Sequence, residues 1–130
     1  MPGDGPGPYG PAVKNRPFSA RLGYAVSGIR LVWRREKTFR AHCLFALAAL
    51  GACAALRASP LWWAIIVLCI AVIVALEAMN SAVEYVIDRL HPGIHKEIKC
   101  AKDAAAGAVL LASLGAGIVG ALMVLDWWRG

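Results

Sequence analysis

The stretch Leu61–Leu76, LWWAIIVLCIAVIVAL, carries no charge and runs without a break into Glu77–Asp88, EAMNSAVEYVID, where charged residues return. A bilayer core of about 30 Å takes about 20 helical residues, within a range of about 17 to 25. Leu61–Leu76 alone falls short, so a helix crossing here has to carry Glu77 and Asn80 into the membrane edge. Working outward, apolar runs lie on either side, Cys43–Leu56 before it and Ala104–Leu125 after it. The last reaches spanning length unaided. The first reaches it when extended back through Phe39 and Ala41, which leaves Arg40 and His42 near the interface. Arg57-Ala58-Ser59-Pro60 suits a short turn between antiparallel helices, with Pro60 preset for a first helical turn. The sequence thus predicts an all-α membrane protein with spans at about 39–57, 61–89 and 99–126.

Composition agrees. Of 130 residues, 59% are hydrophobic and 17% charged, with a mean hydropathy of +0.59, against about 45–50% and about 25% in soluble domains. This excludes a soluble disordered chain, a collagen and a disulfide-rich secreted module. The cysteines, Cys43, Cys53, Cys69 and Cys100, are spread singly and read as buried small hydrophobes. Residues 1–17, MPGDGPGPYGPAVKNRP, hold too little apolar material to offset chain entropy and are expected to be a disordered tail. The tail lacks the pattern of a cleaved signal peptide and is expected to be retained. Residues 18–130 form one domain. Its first element is a helix at about 18–35, where Phe18, Leu22, Val26, Ile29 and Trp33 recur at helical spacing and Arg21, Arg30 and Arg34 take other positions. Such an amphipathic helix beside membrane spans lies in the headgroup plane.

Orientation follows from charge. Of the fourteen Lys and Arg, all but Arg57 and Arg129 lie before the first apolar run or between the second and third runs. The positive-inside rule makes the amino terminus and the segment from about Arg89 to Lys102 cytoplasmic, and the carboxyl terminus external. Trp62, Trp63, Trp127 and Trp128 then fall at the outer interface, which indoles favour. The net charge of +6 describes topology and attraction to anionic lipid. Nucleic acid is not an expected partner, since no recognition motif accompanies the charge.

The chemistry concentrates on the second span. At 100° per residue Glu77, Asn80, Glu84 and Asp88 share an arc of roughly 80°. Counted from Trp63, Glu77 lies about 21 Å into the membrane and Glu84 about 31 Å, at the cytoplasmic edge. Ionisable groups at such depth cost a few kcal/mol each and face protein or a polar substrate. Glu77, nearest the hydrocarbon, suits a base that takes a proton from a lipid hydroxyl. Glu84 and Asp88 suit Mg²⁺, a hard cation that takes one or two carboxylates together with nucleotide phosphate oxygens. Glu36, in Arg34-Arg35-Glu36-Lys37, could complete such a site or be a solvated charge among arginines. The basic cluster His91, His95, Lys96, Lys99 and Lys102, with Asp103, offers phosphate binding, although the positive-inside rule alone would also place lysines there. No Walker A or dinucleotide glycine pattern occurs, so a nucleotide site is of another kind.

The block Glu77-x-x-Asn80-Ser81-Ala82-Val83-Glu84-x-x-x-Asp88, followed by Lys102-Asp103-Ala104-Ala105-Ala106-Gly107-Ala108-Val109, resembles the prokaryotic diacylglycerol kinase family, which includes the undecaprenol kinases. The upstream Trp33-x-x-Glu36-x-x-Phe39-Arg40 also looks like one of its blocks, and the resemblance covers about residues 18–126. It implies a homotrimer of three-span subunits with an amino-terminal surface helix, in the bacterial inner membrane, that transfers the γ-phosphate of MgATP to a membrane lipid alcohol. Carried over by motif, Glu77 resembles the catalytic base with Asn80 beside it, and Glu36 and Glu84 resemble the metal carboxylates. Tyr24, Glu36, Glu84, His95, Lys102 and Asp103 match ATP-binding positions, Asp88 a supporting polar position, and Glu77, Phe39 and Arg40 the lipid site. Asp88 is accordingly kept as support instead of a metal ligand. Two departures stand out: Pro17 replaces a basic residue, for which Arg16 or Arg21 must substitute, and Gly93 replaces an acidic residue before the loop histidine.

The acceptor is read as diacylglycerol from Asn80-Ser81-Ala82 and Asp88-Arg89. Undecaprenol is the alternative, from Arg40-Ala41-His42 and the alanine-rich Ala101–Val109. A multispan scaffold protein would leave Glu77 without a purpose in the membrane. A proton-coupled transporter would not explain the clustering of Glu84, Asp88 and Lys102.

Overall fold

The computed structural model describes residues 17–93 and 95–130 and consists of four helices with no strand among the described residues: α1 Phe18–Arg35, α2 Lys37–Ala55, α3 Pro60–Leu90 and α4 Lys96–Arg129. Up to Arg16, the expected disordered tail lies outside the described residues, and so does Arg16 as the substitute for a basic residue at Pro17. Helices α2, α3 and α4 are each long and apolar enough to cross a membrane. At about 1.5 Å per residue α3 is about 46 Å long and α4 about 51 Å, so both outrun a hydrocarbon core of about 30 Å.

Each junction has a local cause. One residue, Glu36, separates α1 from α2; its extended backbone (φ −99°, ψ 114°) breaks the helix while its N–H still donates to the Val32 carbonyl at 2.8 Å. Arg40 from the first turn of α2 donates to the carbonyls of Trp33 (2.7 Å) and Arg34 (3.2 Å), satisfying acceptors that the end of α1 leaves open. After α2 the chain closes a Schellman motif: Ala58 N–H donates to the Cys53 carbonyl at 2.9 Å and Arg57 N–H to the Ala54 carbonyl at 3.2 Å. Arg57 holds the left-handed position (φ 49°) that glycine usually fills. Pro60 then occupies the first turn of α3, where its missing N–H costs nothing.

Helix α3 is the hub, packed most extensively against α4 and next against α2, while α1 meets α2 and α3 through Val32, Trp33, Arg34 and Arg35 at its carboxyl end. Cys53, Ile66 and Met123 from the three long helices form a core at one end, with Leu50, Trp62, Trp63, Ile70 and Val119 around it. Trp62 Nε1 donates to Asp126 Oδ2 at 2.7 Å and ties α3 to α4 beside this core. Few apolar side chains are otherwise buried, and Leu44, Phe45, Leu68, Leu111 and Ile118 stand on the outside. In water such a surface would drive association; in hydrocarbon it is the solvent-facing surface. The cysteines divide: Cys53 is fully buried, Cys43 and Cys69 are half-buried, and Cys100 is exposed. The expectation of burial therefore fails for Cys100, which lies in the second turn of α4 on an exposed face, two residues after the half-buried Ile98.

Candidate active site

The polar stripe lies on one continuous helix, because nothing between Leu61 and Asp88 interrupts the helical period. Glu77 is only 4% exposed. One of its oxygens, Oε1, lies 3.3 Å from Nδ1 of His42 on α2, and Nε2 of the same ring lies 3.4 Å from Ser113 Oγ on α4. The sequence placed His42 at an interface without a role and did not single out Ser113. The available signal was that Ser113 is the one polar side chain within the apolar run Ala104–Leu125 and that His42 directly adjoins the run Cys43–Leu56. Ser81, also buried, donates back to the Glu77 carbonyl at 3.0 Å and so satisfies itself within the helix.

One turn further, Asn80 Nδ2 donates to Glu84 Oε1 at 3.3 Å, while Asn80 Oδ1 is buried with no hydrogen-bond partner among the described residues. A buried amide oxygen without a donor is rare and marks a place where a further group would be accommodated. Next to Glu84, the Tyr85 hydroxyl donates to Glu36 Oε1 at 2.6 Å, and the Arg35 guanidinium lies 5.8 Å from the Tyr85 ring centroid. Tyr85 thereby fixes the α1–α2 junction against α3 and brings Glu36 to the residue adjoining Glu84. Tyr85 was read past in the sequence, where it was simply the residue between Glu84 and the next turn.

Further along, Lys102 Nζ donates to Asp88 Oδ1 at 2.6 Å, joining α4 to α3, and Lys99 Nζ donates to Asp103 Oδ2 at 2.6 Å one turn apart on α4. Asp88 thus acts on Lys102, and Asp103 on Lys99. His95 is exposed at the amino-terminal boundary of α4 and makes no side-chain cap there. Tyr24 is exposed on α1, twelve residues before Glu36. Phe39 is buried, edge-on to Trp33 with ring centroids 6.4 Å apart. Together with Arg40, which caps α1, it is engaged within the protein and helps to fix the junction at Glu36.

Among the described residues no three His, Cys, Asp or Glu side chains are grouped closely enough to hold a metal ion by themselves. Glu84, bonded to Asn80, and Glu36, bonded to the neighbouring Tyr85, are two hard carboxylates of the kind that fits Mg²⁺ arriving with a triphosphate: this ion keeps several waters and takes one or two protein carboxylates. An apolar cleft of about 490 Å³ opens between α2, α3 and α4, with Phe45, Ile70, Ile73 and Met123 along its wall and His42 and Ser113 as its polar members. The cleft is of a size and character for hydrocarbon.

Comparison with known proteins gives a consistent result. The sequence profile of the prokaryotic diacylglycerol kinase family matches residues 23–124. A diacylglycerol kinase from Synechocystis sp. is 35% identical over 103 residues, covering 78% of this chain and 59% of that protein. An undecaprenol kinase from Bacillus subtilis is 36% identical over 111 residues, covering 85% of this chain and 89% of that protein. A diacylglycerol kinase from Escherichia coli is 28% identical over 102 residues, covering 78% and 84%. The chain therefore spans less than two thirds of the Synechocystis protein and most of the other two. Three apolar helices, a carboxylate stripe with Glu77 buried and a profile match over most of the length lead to one conclusion: the chain is a multi-pass bacterial membrane protein of the prokaryotic diacylglycerol kinase family.

Proposed function

We propose that this protein transfers the γ-phosphate of ATP, bound with Mg²⁺, to the hydroxyl of diacylglycerol, giving phosphatidic acid at the cytoplasmic face of the inner membrane. The observation that carries the reading is the placement of Glu77: a carboxylate nearly out of contact with solvent, one turn from the Asn80–Glu84 pair on the same helix. Glu77 accepts the hydroxyl proton while the lipid oxygen forms its bond to the γ-phosphorus. The bond from that phosphorus to the β-bridging oxygen breaks, and ADP leaves with the electron pair. Little covalent work falls to the protein in phosphoryl transfer, and positioning and charge stabilisation dominate.

Glu36 and Glu84 would hold Mg²⁺, which when bound neutralises charge on the phosphate oxygens. Asn80 steadies Glu84 and has its own buried oxygen available. Lys102 and Asp103, with His95 and Tyr24, face the nucleotide, and Asp88 supports Lys102. The cleft between α2, α3 and α4 accommodates acyl chain, with Phe39 and Arg40 holding the adjoining junction. Three copies assemble, which would cover part of the exposed apolar surface. The amino terminus faces the cytoplasm and the carboxyl terminus the outside, as the distribution of Lys and Arg requires.

A second acceptor has a specific observation in its favour: the Bacillus subtilis relative that aligns over 89% of its own length bears the name undecaprenol kinase. Radiolabelled phosphate transfer in mixed micelles, run in parallel with diacylglycerol and undecaprenol, tests both. Faster transfer to diacylglycerol is the expected result. Faster transfer to undecaprenol moves the assignment to that lipid, and transfer to neither overturns the kinase reading.

A further inference from the structure

We propose that His42 is a positioning residue for the reaction: it orients the Glu77 carboxylate toward the lipid hydroxyl and is itself held from behind by Ser113. The inference rests on Glu77 being the base and adds what sets that base in place. Three side chains from three helices form a line. Glu77 on α3 meets His42 Nδ1 at 3.3 Å, and His42 Nε2 meets Ser113 Oγ at 3.4 Å on α4.

The terminal torsion of a glutamate is broad and nearly free, so a carboxylate without a partner does not present one oxygen in one direction. A base must lie within hydrogen-bond reach of the proton that it takes, which makes this freedom costly for the rate. With the Nδ1 proton donated to Oε1, the second oxygen, Oε2, keeps its lone pairs for the lipid hydroxyl. The imidazole in turn is prevented from swinging, because its other nitrogen faces Ser113. A serine hydroxyl can donate to Nε2 or accept from it, so the ring is held in either protonation state.

Location adds an independent reason. His42 and Ser113 line the apolar cleft, whereas Glu77 is packed behind His42. The imidazole therefore stands between the space fitted for hydrocarbon and the base. Lys102, Asp88, Glu36 and Glu84 have other partners further along the bundle, which leaves the His42–Glu77–Ser113 line as a separate unit.

The test measures kcat, KM for MgATP and thermal unfolding of the full-length protein in mixed micelles with a short-chain diacylglycerol. The variants are His42→Ala, His42→Asn and Ser113→Ala, with Glu77→Gln as reference. A misplacement near 1 Å costs about 100-fold in rate, so His42→Ala should lower kcat by about 10- to 100-fold while KM for MgATP stays within about twofold. His42→Asn, whose amide offers an N–H in place of Nδ1, should recover kcat to within about fivefold of wild type. Ser113→Ala should lower kcat in the same direction by a smaller factor. An unchanged kcat in His42→Ala, or a loss that Asn does not recover, overturns the positioning role. Should His42→Ala fail to assemble, Ser113→Ala decides: a lowered kcat at constant KM supports the role, and an unchanged kcat overturns it. A Glu77→Gln variant that stays active removes the base on which the inference rests, whereas an inactive Glu77→Gln beside a normal His42→Ala removes the positioning role alone.

Discussion

The two ends of the bundle deal with polarity in opposite ways. At the end that carries Trp62 and Asp126, no buried side-chain nitrogen or oxygen among the described residues lacks a partner: the indole meets the carboxylate at 2.7 Å, and the Schellman motif closes the backbone over a core that includes the fully buried Cys53. Toward the other end, from Glu77 to Asp88, carboxylates accumulate on one stripe, and Asn80 Oδ1 is buried with no partner. A bundle that can satisfy one end so fully has no physical need to leave the other incomplete. The difference supports the proposed site at the acidic end, with the tryptophan end holding the helices together.

Substitutions can break or sharpen this contrast, and the largest effect is expected at Glu77. Glu77→Gln preserves shape and removes the proton acceptor, so phosphate transfer should fall by about 10²- to 10⁴-fold with assembly unchanged; activity within a few-fold of wild type would sink the assignment. Glu36→Gln and Glu84→Gln each remove a negative oxygen, and a Mg²⁺ titration of activity should shift to concentrations at least about tenfold higher. Unchanged titrations in both would detach these residues from the metal. Tyr85→Phe deletes only the 2.6 Å bond to Glu36, and its Mg²⁺ requirement should rise by up to about tenfold, as for other partners of a ligand. At the opposite end, Trp62→Phe removes one hydrogen bond worth about 1 kcal/mol. It should lower the unfolding temperature and leave kcat alone, and a matching loss of kcat would show that the two ends are not separate in function. The smallest effect is at Arg57. The left-handed position costs an L residue about 1–2 kcal/mol, and glycine loses part of that advantage in chain entropy. Arg57→Gly should therefore stabilise the protein by about 0.5 kcal/mol in denaturant titration.

Much of the architecture was legible because its signals are local. Apolar length marks three helices, and the 3.6-residue period carries the Glu77–Asp88 stripe along one of them whatever its neighbours do. Proline's preference for the first helical turn placed the Pro60 turn. What stayed hidden were contacts between residues far apart in sequence: His42 with Glu77, Tyr85 with Glu36, and Arg40 with the end of α1. Each joins elements whose relative rotation no periodicity specifies. Cys100 is exposed for a related reason: whether a side chain in the first turns of α4 is buried depends on which face that helix turns to α3, and Ile98 rather than Cys100 is half-buried.

The single extended residue at Glu36 has a mechanical consequence. Tyr24 lies twelve residues up α1 from this joint, about 18 Å along the helix axis, whereas the buried Val32 and the bonded or stacked Trp33, Arg34 and Arg35 lie beside the joint itself. A change of about 10° in the joint angle therefore swings Tyr24 through about 3 Å, roughly the length of a hydrogen bond. The helix is a lever with its fulcrum at a carboxylate, and three side chains clamp that fulcrum: Arg40 on the carbonyls of Trp33 and Arg34, Tyr85 on Glu36, and Phe39 on Trp33. Small errors at the clamp are magnified at the far end of the arm, so residues near Glu36 govern the reach of a tyrosine that they never touch.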